Sequence, residues 1–215
     1  MATEVKFGDW IGKGFELYKQ NIGVLILATL VALVLSSVTL GILAGPMMAG
    51  LCLLALDLAD GKGRPDIGRI FNGFQRFVPA FLFVLMLAVV FGIVSVLGRI
   101  PLIGQAISLA AALVIPALVL FAMWLIADRG RGCWEATQES VAAVLPQFWP
   151  LLGFSIVTSI LGSVGVVLCG VGLIVTWPMA LCAWAVAYRA FFPAPAAGAE
   201  TALPTAPAAP PPPQA

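Results

Sequence analysis

Leu58-Ala59-Asp60-Gly61-Lys62-Gly63 and Ile126-Ala127-Asp128-Arg129-Gly130-Arg131-Gly132 close two apolar stretches in the same order: an apolar end, an aspartate, then bases set among glycines. Each stretch carries one proline further back, Pro46 and Pro116, and a third stretch carries Pro178 before it closes on Ala187-Tyr188-Arg189. The junctions that follow also match. Gly73-Phe74-Gln75-Arg76-Phe77-Val78-Pro79 and Leu145-Pro146-Gln147-Phe148-Trp149-Pro150 both lead back into apolar sequence, Phe77 lying 31 residues after Pro46 and Phe148 32 after Pro116. Self-similarity at a fixed offset marks a repeated supersecondary unit. The spacing predicts an all-α polytopic membrane bundle of six transmembrane helices in three hairpin repeats, about 6–60, 65–128 and 133–190, each preceded by an amphipathic interfacial helix.

Composition points the same way. Of 215 residues, 61% are hydrophobic and 10% charged, with a mean hydropathy of +1.07. Soluble domains run at roughly 45–50% apolar and about 25% charged, so lipid is the expected solvent and membrane lipid a partner. A net charge of +1 argues against nucleic acid, because phosphate binding needs a concentrated basic surface. The chain has no histidine, which removes imidazole metal sites, a Ser-His triad and an imidazole proton relay together. Cys52, Cys133, Cys169 and Cys182 form no CxxC pair and read as free thiols, with no metal or cofactor expected. Residues 1–20 mix Lys6, Lys13 and Lys19 with Glu4, Asp9 and Glu16 and show no cleavage site, so the first apolar segment is expected to stay as a signal anchor.

Along the chain, Phe7, Trp10, Ile11, Phe15, Tyr18 and Ile22 follow one helical face, with Asp9 and Lys13 placed as an i,i+4 pair on the other. Such a helix lies in the headgroup interface or packs on the bundle; both readings stay open. Spans are expected near Ile22–Leu40 and Pro46–Asp60. Only 38 residues separate Ile22 from Asp60, a tight fit against the ~20 residues a ~30 Å hydrocarbon core requires, and a re-entrant hairpin is the alternative. A second interfacial segment, with Pro65 in its first turn, presents Ile67, Ile70, Phe71, Phe74 and Phe77. Further spans follow near Val78–Leu97, Pro101–Ala127, from Trp149, and to Arg189, with a third interfacial helix over Trp134–Phe148. Ten bases then fall on one side and Arg99 alone on the other. The positive-inside rule places both termini in the cytoplasm, and the expected location is a bacterial inner membrane. Residues 1–192 form the six-span domain. Residues 193–215 hold eight of the sixteen prolines and read as a disordered Pro/Ala-rich cytoplasmic tail.

Candidate sites are few. Asp57 is the one acid inside an apolar span, where a partner such as Arg64 could satisfy it; with Asp60, Asp128 and Arg189 it makes up the candidate polar set. Pro46, Pro116 and Pro178 precede Asp60, Asp128 and Arg189 by 14, 12 and 11 residues, a similar depth of roughly 16–21 Å at 1.5 Å per residue. Three kinks there would form a constriction or close three hairpins alike. Ser155, Ser159 and Ser163 share a stripe suited to helix packing or a pore, and Ala28 with Ala32 and Ala183 with Ala187 repeat the small-residue spacing. Gly61-x-Gly63 and Gly130-x-Gly132 lack phosphate-loop spacing and read as helix C-caps, and Leu161-Gly162-Ser163-Val164-Gly165 lacks the nucleophile-elbow spacing. No catalytic constellation emerges, so no enzyme activity is expected.

Tyr18-Lys19-Gln20-Asn21, Gly45-Pro46-Met47-Met48-Ala49-Gly50, Phe71-Asn72-Gly73-Phe74-Gln75-Arg76-Phe77 and the closing Gly170-Val171-Gly172 … Pro178 … Ala187-Tyr188-Arg189 carry a resemblance. Over about residues 6–192 the chain resembles bacterial integral membrane proteins of the DUF975 and YciC-like types and the membrane domain attached to some glycerophosphodiester phosphodiesterases. The resemblance implies architecture and no active site, since the group's role is largely undefined. The expected function is organisation of a protein partner at the cytoplasmic face, or of the bilayer. The alternative is a small-solute or ion transporter or channel.

Overall fold

In a computed structural model the protein is described over residues 7–62, 66–167 and 171–194, by backbone alone at Phe7, 161–167 and 171–173. Among the described residues the secondary structure is entirely helical. The order is α1 (Phe7–Gln20), α2 (Ile22–Val38), α3 (Ala44–Ala59), a 3-10 segment Ile67–Arg76, α4 (Phe77–Leu97), α5 (Ile103–Leu118), α6 (Ala122–Arg129), α7 (Cys133–Val144), α8 (Phe148–Val167) and α9 (Val171–Phe191). A 3-10 turn over Leu145–Gln147 joins α7 to α8. Among the described residues four helical runs are long and apolar enough to cross a bilayer: Ile67–Leu97, Ile103–Arg129, Cys133–Ile160 and Ile174–Phe191. The pair α1 and α2, bent by 89°, makes a fifth if counted as one span. This is the helix inventory of a multi-pass membrane protein. At 16 residues, α3 is about 24 Å long and falls short of a full ~30 Å core.

Its shortness fits its position, because α3 is the buried centre rather than a lipid-facing strut. Its residues Met47, Ala49, Cys52, Leu54, Ala55 and Leu56 are all 1% exposed or less. The 3-10 segment lies against it at near backbone contact. A side chain added at Gly50 would overlap the Ile70 carbonyl, and one added at Gly73 would overlap the Pro46 carbonyl. With three residues per turn, the segment presents three straight rows. Ile67, Ile70 and Gly73 face the core, whereas Phe71, Phe74 and Phe77 stack outward with centroids 6.3 and 6.5 Å apart. The single apolar face expected of an α-helix is thus split in two. Asp66 begins the segment by accepting the Gly68 N–H at 3.0 Å.

Helix α1 also divides its apolar face. Trp10, Gly14 and Tyr18 are buried, and a Cβ at Gly14 would stand 2.6 Å from the Ala183 backbone of α9. The Trp10 ring meets Phe154 and Phe191 edge-on at 5.6 and 6.0 Å. Phe15 remains exposed, so one edge of the helix packs on the bundle while the other is left bare; Ile22 belongs to α2. The expected Asp9–Lys13 pair does not form; both side chains are exposed, where holding two long side chains together gains little.

Two further expectations change. The apolar run Pro101–Ala127 is not one helix: α5 ends two residues after Pro116, and α6 begins at Ala122. The helical ladder lapses over Val119–Phe121, and the break is filled from α7. Ser140, fully buried, donates to the Leu118 carbonyl at 2.8 Å and accepts the Phe121 N–H at 3.1 Å. Pro46, by contrast, is the third residue of α3, where an N–H would have no partner within the helix, so it costs no hydrogen bond and gives no reason for a kink. Pro178 alone lies well inside its helix, α9. The serine stripe on α8 lies only partly on the packing face. Leu151, Phe154, Ser155 and Thr158 are buried, while Ser159 is exposed and the Ser163 side chain lies outside the described residues. The small pairs Ala28 with Ala32 and Ala183 with Ala187 are buried as their spacing suggests.

Burial is uneven along the helices. In α4 nothing beyond Phe83 is buried, α5 buries only Gly104 and Ala117, and α2 buries nothing past Ala32. Among the described residues the core therefore gathers towards the end at which α3, α6 and α9 finish, and the far parts of α2, α4 and α5 are sparsely packed. The tail beyond Ala194, Cys169, Arg64 and Pro65 lie outside the described residues.

Candidate functional site

The three helices that finish at the packed end each deliver an ionised side chain to one place. Asp60 follows the last turn of α3, Asp128 lies at the end of α6, and Arg189 at the end of α9. Arg189 grips Asp60 with two parallel bonds, Nε to Oδ1 at 2.7 Å and Nη2 to Oδ2 at 2.8 Å. The same guanidinium reaches Asp128 through Nη1 to Oδ2 at 2.8 Å and Nη2 to Oδ1 at 3.2 Å. Tyr188 donates its hydroxyl to Asp128 at 3.0 Å. Only arginine offers a planar fork that can serve two carboxylates in this way. Side-chain exposure is 13% for Arg189, 11% for Asp60 and 14% for Asp128, so the group is largely withdrawn from water.

Asp57 joins the cluster one turn before Asp60. Its expected partner Arg64 lies outside the described residues; the partners found are Arg69, with Nε 2.6 Å from Oδ2, and Lys62, with Nζ 3.0 Å from Oδ1. Lys62 also stands 3.6 Å from Asp60, linking the two halves. The turn that returns Lys62 to α3 uses Gly61 at φ +68°, and α6 ends in the same manner at Gly130, φ +64°. Glycine takes this left-handed conformation without steric cost. On either side of Gly130, Arg129 and Arg131 share Glu139 of α7 at 3.3 and 3.4 Å.

The candidate polar set from the sequence, Asp57, Asp60, Asp128 and Arg189, is therefore brought together. The repeat prolines are not part of it. Lys62, Arg69 and Tyr188 were missed as members. Lys62 and Tyr188 had a local signal, a base five residues from Asp57 across a glycine turn and a phenol adjoining Arg189, whereas nothing local ties Arg69 to Asp57.

Chemically, three carboxylates meet three cations, and the charges balance. Every carboxylate in the cluster has a cationic partner within hydrogen-bond range, which leaves neither a free base nor an activated nucleophile there. Among the described residues no three His, Cys, Asp or Glu side chains are grouped to hold a metal ion. Such a cluster ties helix ends together. Comparison with family models, with curated proteins and with solved structures finds no match.

Proposed function

We propose that the protein is a non-enzymatic, six-span integral membrane protein of a bacterial inner membrane. It organises a protein partner, or the bilayer itself, through its cytoplasmic face. The observation that carries this reading is the balanced Arg189 cluster, which joins α3, α6 and α9 at one end and leaves no unpaired carboxylate there. Ten bases against one support placing that end, and both termini, in the cytoplasm. Outside the cluster, the exposed Phe71 and Phe74 rings and the exposed Trp134 and Trp149 offer the aromatic side chains that favour the membrane boundary.

The three-repeat architecture is part of the same proposal. Asp60, Asp128 and Arg189 close three apolar arms at similar distances from their prolines, and each supplies one charge to the cluster. The kinship with DUF975, YciC-like and phosphodiesterase-linked membrane domains is likewise proposed. Its support is that two of the motifs carrying the resemblance, Gly45–Gly50 and Phe71–Phe77, contain the two glycines of the α3 contact. Reconstituted vesicles are expected to hold proton, potassium and chloride gradients as tightly as protein-free ones, while crosslinking in the native membrane captures a partner on cytoplasmic residues. Selective ion flux through the purified protein would instead establish the channel reading.

A further inference from the structure

Away from the Arg189 cluster, a lateral groove runs between the far ends of α2, α3 and α9. It has a volume of about 280 Å³ and is lined by Ala32 and Ser36 of α2, Met47, Met48 and Leu51 of α3, and Trp177 of α9, among others. Leu33 on its wall is 44% exposed, so the groove is continuous with the bare apolar surface of Leu30, Val34 and Val38 on the same helix. Water is a poor occupant. A bound water needs two to four polar partners, and the Thr29 hydroxyl in the wall is already committed to the Leu25 carbonyl at 2.8 Å. An empty cleft would forfeit dispersion contacts along its whole lining. The surrounding solvent is hydrocarbon, and two adjacent methionines can adapt to a flexible chain.

One polar atom in the groove is unspent. The hydroxyls of Thr29, Ser37, Thr39, Ser95 and Thr158 each donate to the carbonyl four residues back. The Ser36 hydroxyl makes no hydrogen bond to any described residue and stands near the turn that ends α2. We propose that this groove binds one acyl chain of a phospholipid from the leaflet opposite the Arg189 cluster, with Ser36 donating to the ester carbonyl. The inference rests on the membrane reading and extends it from general lipid contact to a defined lipid site.

The test uses the full chain in phosphatidylethanolamine and phosphatidylglycerol vesicles containing a phospholipid with a photoactivatable group in its acyl chain. Crosslinks are mapped by mass spectrometry. Labelling at Leu33, Met48 and Trp177, the more open residues of the lining, should exceed that at Val89 and Ile93, which are 55% and 58% exposed on α4, by several-fold. Ser36→Phe, which fills the mouth, should reduce groove labelling to the α4 level, while Met48→Leu should preserve it. Groove labelling no higher than on α4 in the unmodified chain overturns the proposal and leaves the membrane reading standing. Protection of the groove by α2 of a second copy, detected as a protein–protein crosslink, overturns it equally. Absence of lipid labelling on α4 as well would remove the membrane reading along with it.

Discussion

Arg189 and Asp128 stand 61 positions apart in sequence, yet Nη1 of one lies 2.8 Å from Oδ2 of the other. Through the same guanidinium Arg189 reaches Asp60, 129 positions away, so one side chain joins three helix ends. Breaking a withdrawn ion pair on one side strands the other charge and costs about 3–5 kcal/mol, whereas replacing all the partners together is often neutral. Arg189→Met should therefore lower the melting temperature of the detergent-solubilised protein sharply. The triple change Arg189→Met, Asp60→Asn, Asp128→Asn should recover much of the loss. Equal losses in the single and triple variants would contradict the clamp.

The contact between Gly50 and Ile70 gives a steric prediction. Gly50→Ala and Gly73→Ala would each push a methyl into a backbone carbonyl, which flexible side chains cannot relieve. Overpacking typically costs 1–3 kcal/mol or more, and both variants are expected at or above about 3 kcal/mol. Gly92→Ala, with open space around it, should be neutral or mildly stabilising, as helix propensity favours alanine. Melting curves of the three variants check the contrast.

At the α5–α6 break, Ser140→Ala removes the acceptor for the Phe121 N–H and the donor to the Leu118 carbonyl. Leaving a buried group unsatisfied costs about 1–3 kcal/mol. Ser95→Ala is the control. Its hydroxyl is exposed and bonded within its own helix, so that change should fall within about 0.5 kcal/mol of the parent.

How the chain ends in the fold is also testable. Phe192 is 8% exposed, stacks on Tyr188 at 5.1 Å and lies under the Arg129 guanidinium at 5.1 Å. Truncation after Ala194 should leave yield and melting temperature nearly unchanged. Adding Phe192→Ala to that truncation should cost about 3 kcal/mol. A large loss from the truncation alone would mean that the proline-rich segment docks on the bundle.

What could be read from the sequence was local. The apolar runs mark the helices nearly to their ends, apart from the break between α5 and α6, and the scarcity of ions inside apolar sequence singles out Asp57, Asp60, Asp128 and Arg189. The arrangement within the cluster was not readable. Whether Asp57 pairs with Arg64 or Arg69 depends on how the 3-10 segment folds back, and that depends on Gly50 and Gly73 letting two backbones touch. A period of three carries too little apolar contrast to be told from a period of 3.6 over ten residues, so the sequence pattern puts Phe71, Phe74 and Phe77 on the same face as Ile70. Nothing in the sequence around Ser140 announces its role; only the break after Pro116, 24 residues earlier, gives it a task.

Which side of the membrane holds the Arg189 cluster bears most directly on the proposed function. Cys133 begins α7 beside Arg131 and is partly exposed, whereas Cys52 and Cys182 are buried. In a Cys169→Ser variant of the full chain, a membrane-impermeant maleimide should label Cys133 in inside-out vesicles and leave it unlabelled in intact cells. Labelling of Cys133 from the outside of intact cells would contradict a cytoplasmic cluster and the scaffold reading built on it.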